Sequence, residues 1–282
     1  MKRNFLFAAA LVLSVGALAS CGDTTSSATS AEASDTTPTS EVAKVSGTAT
    51  EYGIVNTYCV TSVNIVVEDN LTTDVTIDET FTPSDWAVID ADEVEGQTIA
   101  TVTASASDWS GNVVDYTYAE FIKVDDKVYT ATVVAADEVE NGQLVNYSNS
   151  ECDDLFAYIT DNTEWYFNVV KDEKISVVAD AEGTAFDTPY TLGTITANTT
   201  NFKADEDNTY WPASDWTPLG WKGNIAKIEA ALTGLDLSTA PEVTQDETSG
   251  VFSFAGVETG ATMTFTPVYV TLATAAYATL VA

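Results

Sequence analysis

From Val60 to Val67, and again from Thr73 to Ile77, β-branched residues alternate with polar ones, and Glu68-Asp69-Asn70 between them is turn material. A period of two puts one set of side chains on one face of an extended chain, so this segment predicts a β-hairpin. Further strands are predicted over 98–104, 113–124, 127–135, 165–170, 174–179 and 251–254. Helical signals are fewer. Ser150-Glu151-Cys152-Asp153 has the spacing of a capping box opening a helix through Ile159. Asn224 is placed to cap a second, in which Ile225, Ile228, Leu232 and Leu235 share a face and Gly234 stands near the end. A third starts after Thr266 with Pro267 at its first position and runs to about Leu280, with Val268, Leu272 and Ala276 toward the sheet. Strands mixed with helices that do not strictly alternate predict an α+β fold, an antiparallel sheet with a few helices and a C-terminal helix packed on it.

The chemistry open to the chain is narrow. With 282 residues, 45% hydrophobic and 10% aromatic, it can bury a sizeable core. Its 43 Asp plus Glu against 10 Lys plus Arg give a net charge of −33, which repels nucleic acid and anionic headgroups. No nucleic-acid partner is expected. The absence of histidine removes Ser-His-Asp triads, Cys-His dyads and histidine metal sites. Any chemistry must therefore use carboxylates, hydroxyls, two spare thiols or a borrowed cofactor.

Residues 1–20 read as a signal peptide, with Lys2 and Arg3 ahead of an apolar run from Phe5 to Leu18. Leu18-Ala19-Ser20-Cys21 resembles the lipobox of bacterial lipoproteins, which implies that Cys21 is lipidated and becomes the mature N-terminus. Residues 21–50, rich in Ser, Thr, Ala and acids, read as a disordered tether too poor in apolar surface to fold. The folded part is expected over 51–282, on the outer face of the cell membrane, held there by the lipid. Cys59 and Cys152 are then either a disulfide or two buried free thiols. Two short echoes, 91–97 with 136–143, and Ser-Asp-Trp at 84–86, 107–109 and 214–216, read as shared turn chemistry rather than a repeat.

Near the C-terminus, Thr259-Gly260-Ala261-Thr262-Met263-Thr264 presents hydroxyls among nearly side-chain-free neighbours, just ahead of the third helix. Free N–H groups and the positive end of a helix favour an anion such as phosphate at such a place. In this setting the sequence resembles the FMN-binding domain family. That family includes the C subunit of the sodium-translocating NADH:quinone reductase, the G subunit of the Rnf complex, and flavinylated lipoproteins of Gram-positive extracellular electron transfer. There a Ser/Thr-Gly-Ala-Thr motif carries FMN as a phosphoester on its last Thr, which corresponds to Thr262, and an alanine-rich helix follows. The strand-turn-strand from Val63 to Glu79 is similar to a second family landmark, so the resemblance spans one domain with a long middle insertion. Within that middle, Tyr210-Trp211-Pro212 and Gly220-Trp221-Lys222-Gly223-Asn224 are similar to lipoprotein members. One position departs from the pattern: the acidic residue usually three places before the motif is here Gly256, with Glu258 the nearest carboxylate.

The resemblance implies an electron-transfer flavoprotein rather than a metabolic enzyme, with no catalytic residue and no metal ligand assigned, a flavin transferase as a partner, a membrane-bound reductase as electron donor, and an extracellular acceptor. Thr259, Gly260, Ala261, Thr262 and Thr264 would form the attachment turn. Trp216, among the aromatics Tyr210, Trp211 and Trp221, either stacks on the flavin or belongs to loop core. Lys222 either neutralises the phosphate or offsets local carboxylates. The acidic runs at 153–154 and 205–208 read as solvated surface rather than calcium loops. The competing functional readings are a non-catalytic surface binding or adhesion module and, behind it, a carboxylate hydrolase.

Overall fold

The computed structural model describes residues 44–56, 59–89, 98–107, 110–140, 142–186 and 200–282. Its centre is a three-stranded antiparallel sheet of β1 (Gly47–Asn56), β2 (Cys59–Glu68) and β3 (Leu71–Phe81), in the order β1-β2-β3. The predicted hairpin is β2–β3. Asp69 and Asn70 at its tip have φ of 53° and 75°, the left-handed pair that matches the twist of the two strands. The sheet is a shared wall. Val63, Ile65, Val67, Val75 and Ile77 face one buried cluster, whereas Val60, with Tyr52 and Ile54 of β1, faces another.

Two helices cover the first face, α4 (Gly220–Leu232) and α5 (Thr266–Val281). Ile225, Ile228 and Leu232 of α4 are buried as their spacing predicts, and Gly234 (φ 88°) ends the helix while the Thr72 hydroxyl donates to the Leu232 carbonyl at 2.5 Å. Asn224 is not its cap. The helix opens at Gly220 and Asn224 lies in its second turn, 1% exposed. For α5, Pro267 stands in the first turn as expected. Its fully buried face is Tyr269, Val270, Ala273, Ala276 and Tyr277, with Val268 and Leu272 half-buried beside it. Leu272 lies so close to β1 that a Cβ on Gly53 would come within 2.9 Å of it.

Behind the other face stands a four-stranded antiparallel sheet of β6 (Phe121–Val124), β7 (Lys127–Val133), β8 (Val145–Ser148) and β9 (Ile175–Val177), in the order β8-β7-β6-β9. The pair β4 (Thr101–Ser107) and β5 (Val113–Ala119) lies beside it in sequence, and β10 (Val243–Gln245), β11 (Phe252–Phe254) and β12 (Val257–Glu258) form a small sheet ahead of α5. Three short helices complete this side: α1 (Pro83–Trp86), α2 (Leu155–Asp161) and α3 (Thr163–Lys171).

The α+β class stands, and several local expectations are corrected. Residues 165–170 form part of α3 rather than a strand, because Tyr166, Phe167, Val169 and Val170 make a helical stripe against the core. The capping residue of α2 is Asp154, whose Oδ1 accepts from Ala157 N at 3.0 Å. Ser150 and Glu151 belong to the preceding turn, where Asn149 Oδ1 accepts from Glu151 N. Ordered chain begins before Thr50, since β1 starts at Gly47. The span 113–124 is two strands, divided at Glu120. The Ser-Asp-Trp copies share no environment: Trp86 is 1% exposed and Trp216 is 94% exposed. The signal peptide, Cys21, most of the tether, the echo at 91–97 and the Asp-Trp of the 107–109 copy lie outside the described residues. Among the described residues no helix is long and apolar enough to cross a membrane.

Candidate functional site

The Thr259–Thr264 turn is held from beneath and presents one hydroxyl in a fixed place. Thr259 is buried; its Oγ1 donates to the Phe252 carbonyl at 2.7 Å and accepts from Ala261 N at 2.9 Å. Phe252 N in turn donates to the Ala261 carbonyl at 2.8 Å. Gly260 takes a φ of 76°, a conformation in which an L side chain is strained. Ala261 and Met263 point into the core, so Thr262 between them points out. Thr264 is also exposed.

Asn224 sets the position of Thr262. From inside α4 its Nδ2 donates to the Gly220 carbonyl at 2.6 Å, and its Oδ1 accepts from Thr262 N at 2.7 Å, with Thr262 Oγ1 at 3.4 Å. The residue read as a helix cap is thus the strut between α4 and the motif. An amide oxygen is a poor base, so the Thr262 hydroxyl is presented but not activated. Esterification there requires an external catalyst.

Other expected contributions are redistributed. At the start of α5, Thr266 N donates to Met263 O and Val268 N to Phe265 O, while Pro267 has no N–H. These three positions offer an anion no free donor, against the expectation from the helix terminus. Lys222 donates to the carbonyls of Asp205 and Glu206 at 2.6 and 3.2 Å, fastening that loop to α4. A lysine missed in the sequence lies beside the motif: a Cβ on Gly260 would lie 3.8 Å from the Cδ and Cε of Lys227. Its signal was the spacing of three residues from Asn224 along the same helix. Trp216 stands in solvent. Gly256 (φ 75°) follows Ala255 (φ 52°) in the tight turn between β11 and β12, a left-handed conformation that favours glycine there. Cys59 and Cys152 are free thiols, not a disulfide.

A second cluster lies deeper, where the two cores meet. Glu79 of β3 and Lys203 are 2% and 3% exposed at their side chains and pair at 2.6 Å, Nζ to Oε2. Trp221 Nε1 donates to the same oxygen at 3.1 Å; Thr61 Oγ1, at 3.2 Å, and Tyr269 OH donate to Oε1. Tyr269 also lies 3.3 Å from Met263 Sδ, so this network touches the underside of the motif. The Lys203 ammonium sits 4.2 Å from the ring centre of Tyr210 and 5.0 Å from that of Phe81. Burial, the largest influence on Lys203, favours the neutral amine, but Cys59 and Glu79 act oppositely and the net direction is upward. The Cys59 thiol is itself pushed up to about 12 by burial and is neutral near pH 7, so the Glu79 carboxylate is what holds the ammonium. Burial first and Glu79 second raise Tyr269, which stays a donor. The sequence carried a signal for Glu79: it follows Val75 and Ile77 with period two, an acid on an apolar face that needs a buried partner.

No protein-family model, curated protein or solved structure matches this chain.

Proposed function

We propose that this chain is a lipid-anchored extracytoplasmic flavoprotein that carries FMN as a phosphoester on Thr262 and relays electrons from a membrane reductase to an extracellular acceptor. The observation that carries the reading is the fixed, outward Thr262 hydroxyl, flanked by buried Ala261 and Met263 and tied to Asn224. FMN would supply the redox chemistry, and the protein would supply its position. Asn224 orients the attachment residue through its backbone. Lys227 offsets part of the phosphate charge in a chain of net charge −33. Gly260 and Ala261 leave the approach clear for a transferase, which must bring its own base. Thr259 is excluded as an attachment point because its hydroxyl is buried and fully bonded.

Co-expression with a flavin transferase, denaturation and in-gel flavin fluorescence test this. Wild type and Thr264→Ala should fluoresce, and Thr262→Ala should be dark while keeping its circular dichroism and thermal midpoint. A dark wild-type band that turns yellow when the native protein is mixed with FMN would mean non-covalent binding. No flavin in either assay would favour the surface-binding module instead.

A further inference from the structure

We propose that Lys203 and Glu79 condense into an intramolecular amide that cross-links the loop before α4 to strand β3. The two backbones are already joined: Lys203 N donates to the Glu79 carbonyl at 2.9 Å, Thr80 and Phe202 form an antiparallel bridge, and Asn201 Oδ1 accepts from Phe81 N at 2.6 Å. The side chains are therefore held together by structure outside themselves, which gives such a pair a very high effective concentration. They also meet where charge is costly. An ion pair almost wholly out of water is held at the expense of two desolvated ions, and a neutral amide of nearly the same shape removes both.

The step balances without an added reagent. Across the 2.6 Å contact a proton passes from Nζ to Oε2, leaving a neutral amine beside a carboxylic acid. The nitrogen lone pair attacks Cδ, and negative charge gathers on Oε1, where the Tyr269 and Thr61 hydroxyls already donate. A second proton leaves nitrogen for Oε2. The Cδ–Oε2 bond breaks, Oε2 departs as water beside the Trp221 N–H, and the N–C bond remains. No group is oxidised or reduced. The wall of Phe81, Tyr210 and Trp221 around Nζ keeps bulk water from the product.

The test is tryptic mapping of the full-length protein after complete denaturation, when contacts in the fold no longer matter. Glu79 falls in the fragment 45–123, and an acylated Lys203 blocks cleavage between 175 and 222. The expected product is 45–123 joined to 175–222, lighter than their sum by one water, with fragmentation placing the link at Glu79 and Lys203. Lys203→Arg, which lacks the primary amine, should give 45–123 alone and cleavage after residue 203. A wild-type digest giving free 45–123 with 175–203 and 204–222 in full yield would overturn the proposal, whatever the flavin assays show.

Discussion

Replacing Asp78 by Asn should change how stability depends on pH. Asp78 lies beside Glu79 on β3 with its Oδ1 accepting from Glu79 N at 2.7 Å and Ala204 N at 3.0 Å. Those bonds favour the carboxylate, yet burial outweighs them, helped by the nearby charge of Asp205, and raises the group from 3.8 to about 6. The sign follows from which state holds the proton: through this window folded Asp78 keeps a proton that the unfolded chain has released. Its favourable contribution is full below 3.8 and is lost as pH rises through about 6. A rise from 3.8 to about 6 is worth about 3 kcal/mol, and solvent contact of this half-buried side chain trims that to about 2 kcal/mol. Asn keeps the acceptor oxygen and cannot ionise. Urea unfolding should therefore find Asp78→Asn more stable than wild type by about 2 kcal/mol near pH 7.5, and about equal near pH 4. A difference between the two proteins that does not change over that range would refute the assignment.

Gly220→Ala should lower stability by about 3 kcal/mol, since a Cβ there meets the Trp211 carbonyl at 2.6 Å and Ala213 N at 2.7 Å, in backbone that cannot step aside, with φ at 58°. Calorimetry checks it, and an unchanged midpoint would contradict the packing at the start of α4. Cys21→Ala should move the protein from the membrane fraction to the soluble one; complete retention on the membrane would refute the anchor.

What could be read in the sequence was what local pattern controls. The β2–β3 hairpin followed from alternation around a turn, and α5 from Pro267 ahead of an uninterrupted run of small and apolar residues. Strand β1 escaped because Gly47-Thr48-Ala49-Thr50 has the composition of the tether; it becomes a strand by pairing with β2 and lying under Leu272 and Leu280. Helix α3 escaped because Trp165, Tyr166, Phe167, Val169 and Val170 have strand propensities, and only their packing imposes a helical period. The motif was visible as a string, but the support from Asn224, 38 residues away, was not. The Glu79–Lys203 pair, 124 residues apart, depends on the same long-range geometry.

Because the central sheet is packed on both faces, each core is walled by the same three strands. Val63 and Ile65 are wholly buried against α4 and α5, and Val60 is wholly buried against the side that holds α3. Either core, on opening, would bare the wall of the other, which couples the two across β2. The Thr262 turn, clamped to α4 by Asn224 and to the sheet by Tyr269, inherits that cooperativity. A group attached there would have its distance and orientation to a partner fixed by contacts to α4 and the central sheet rather than by the turn alone.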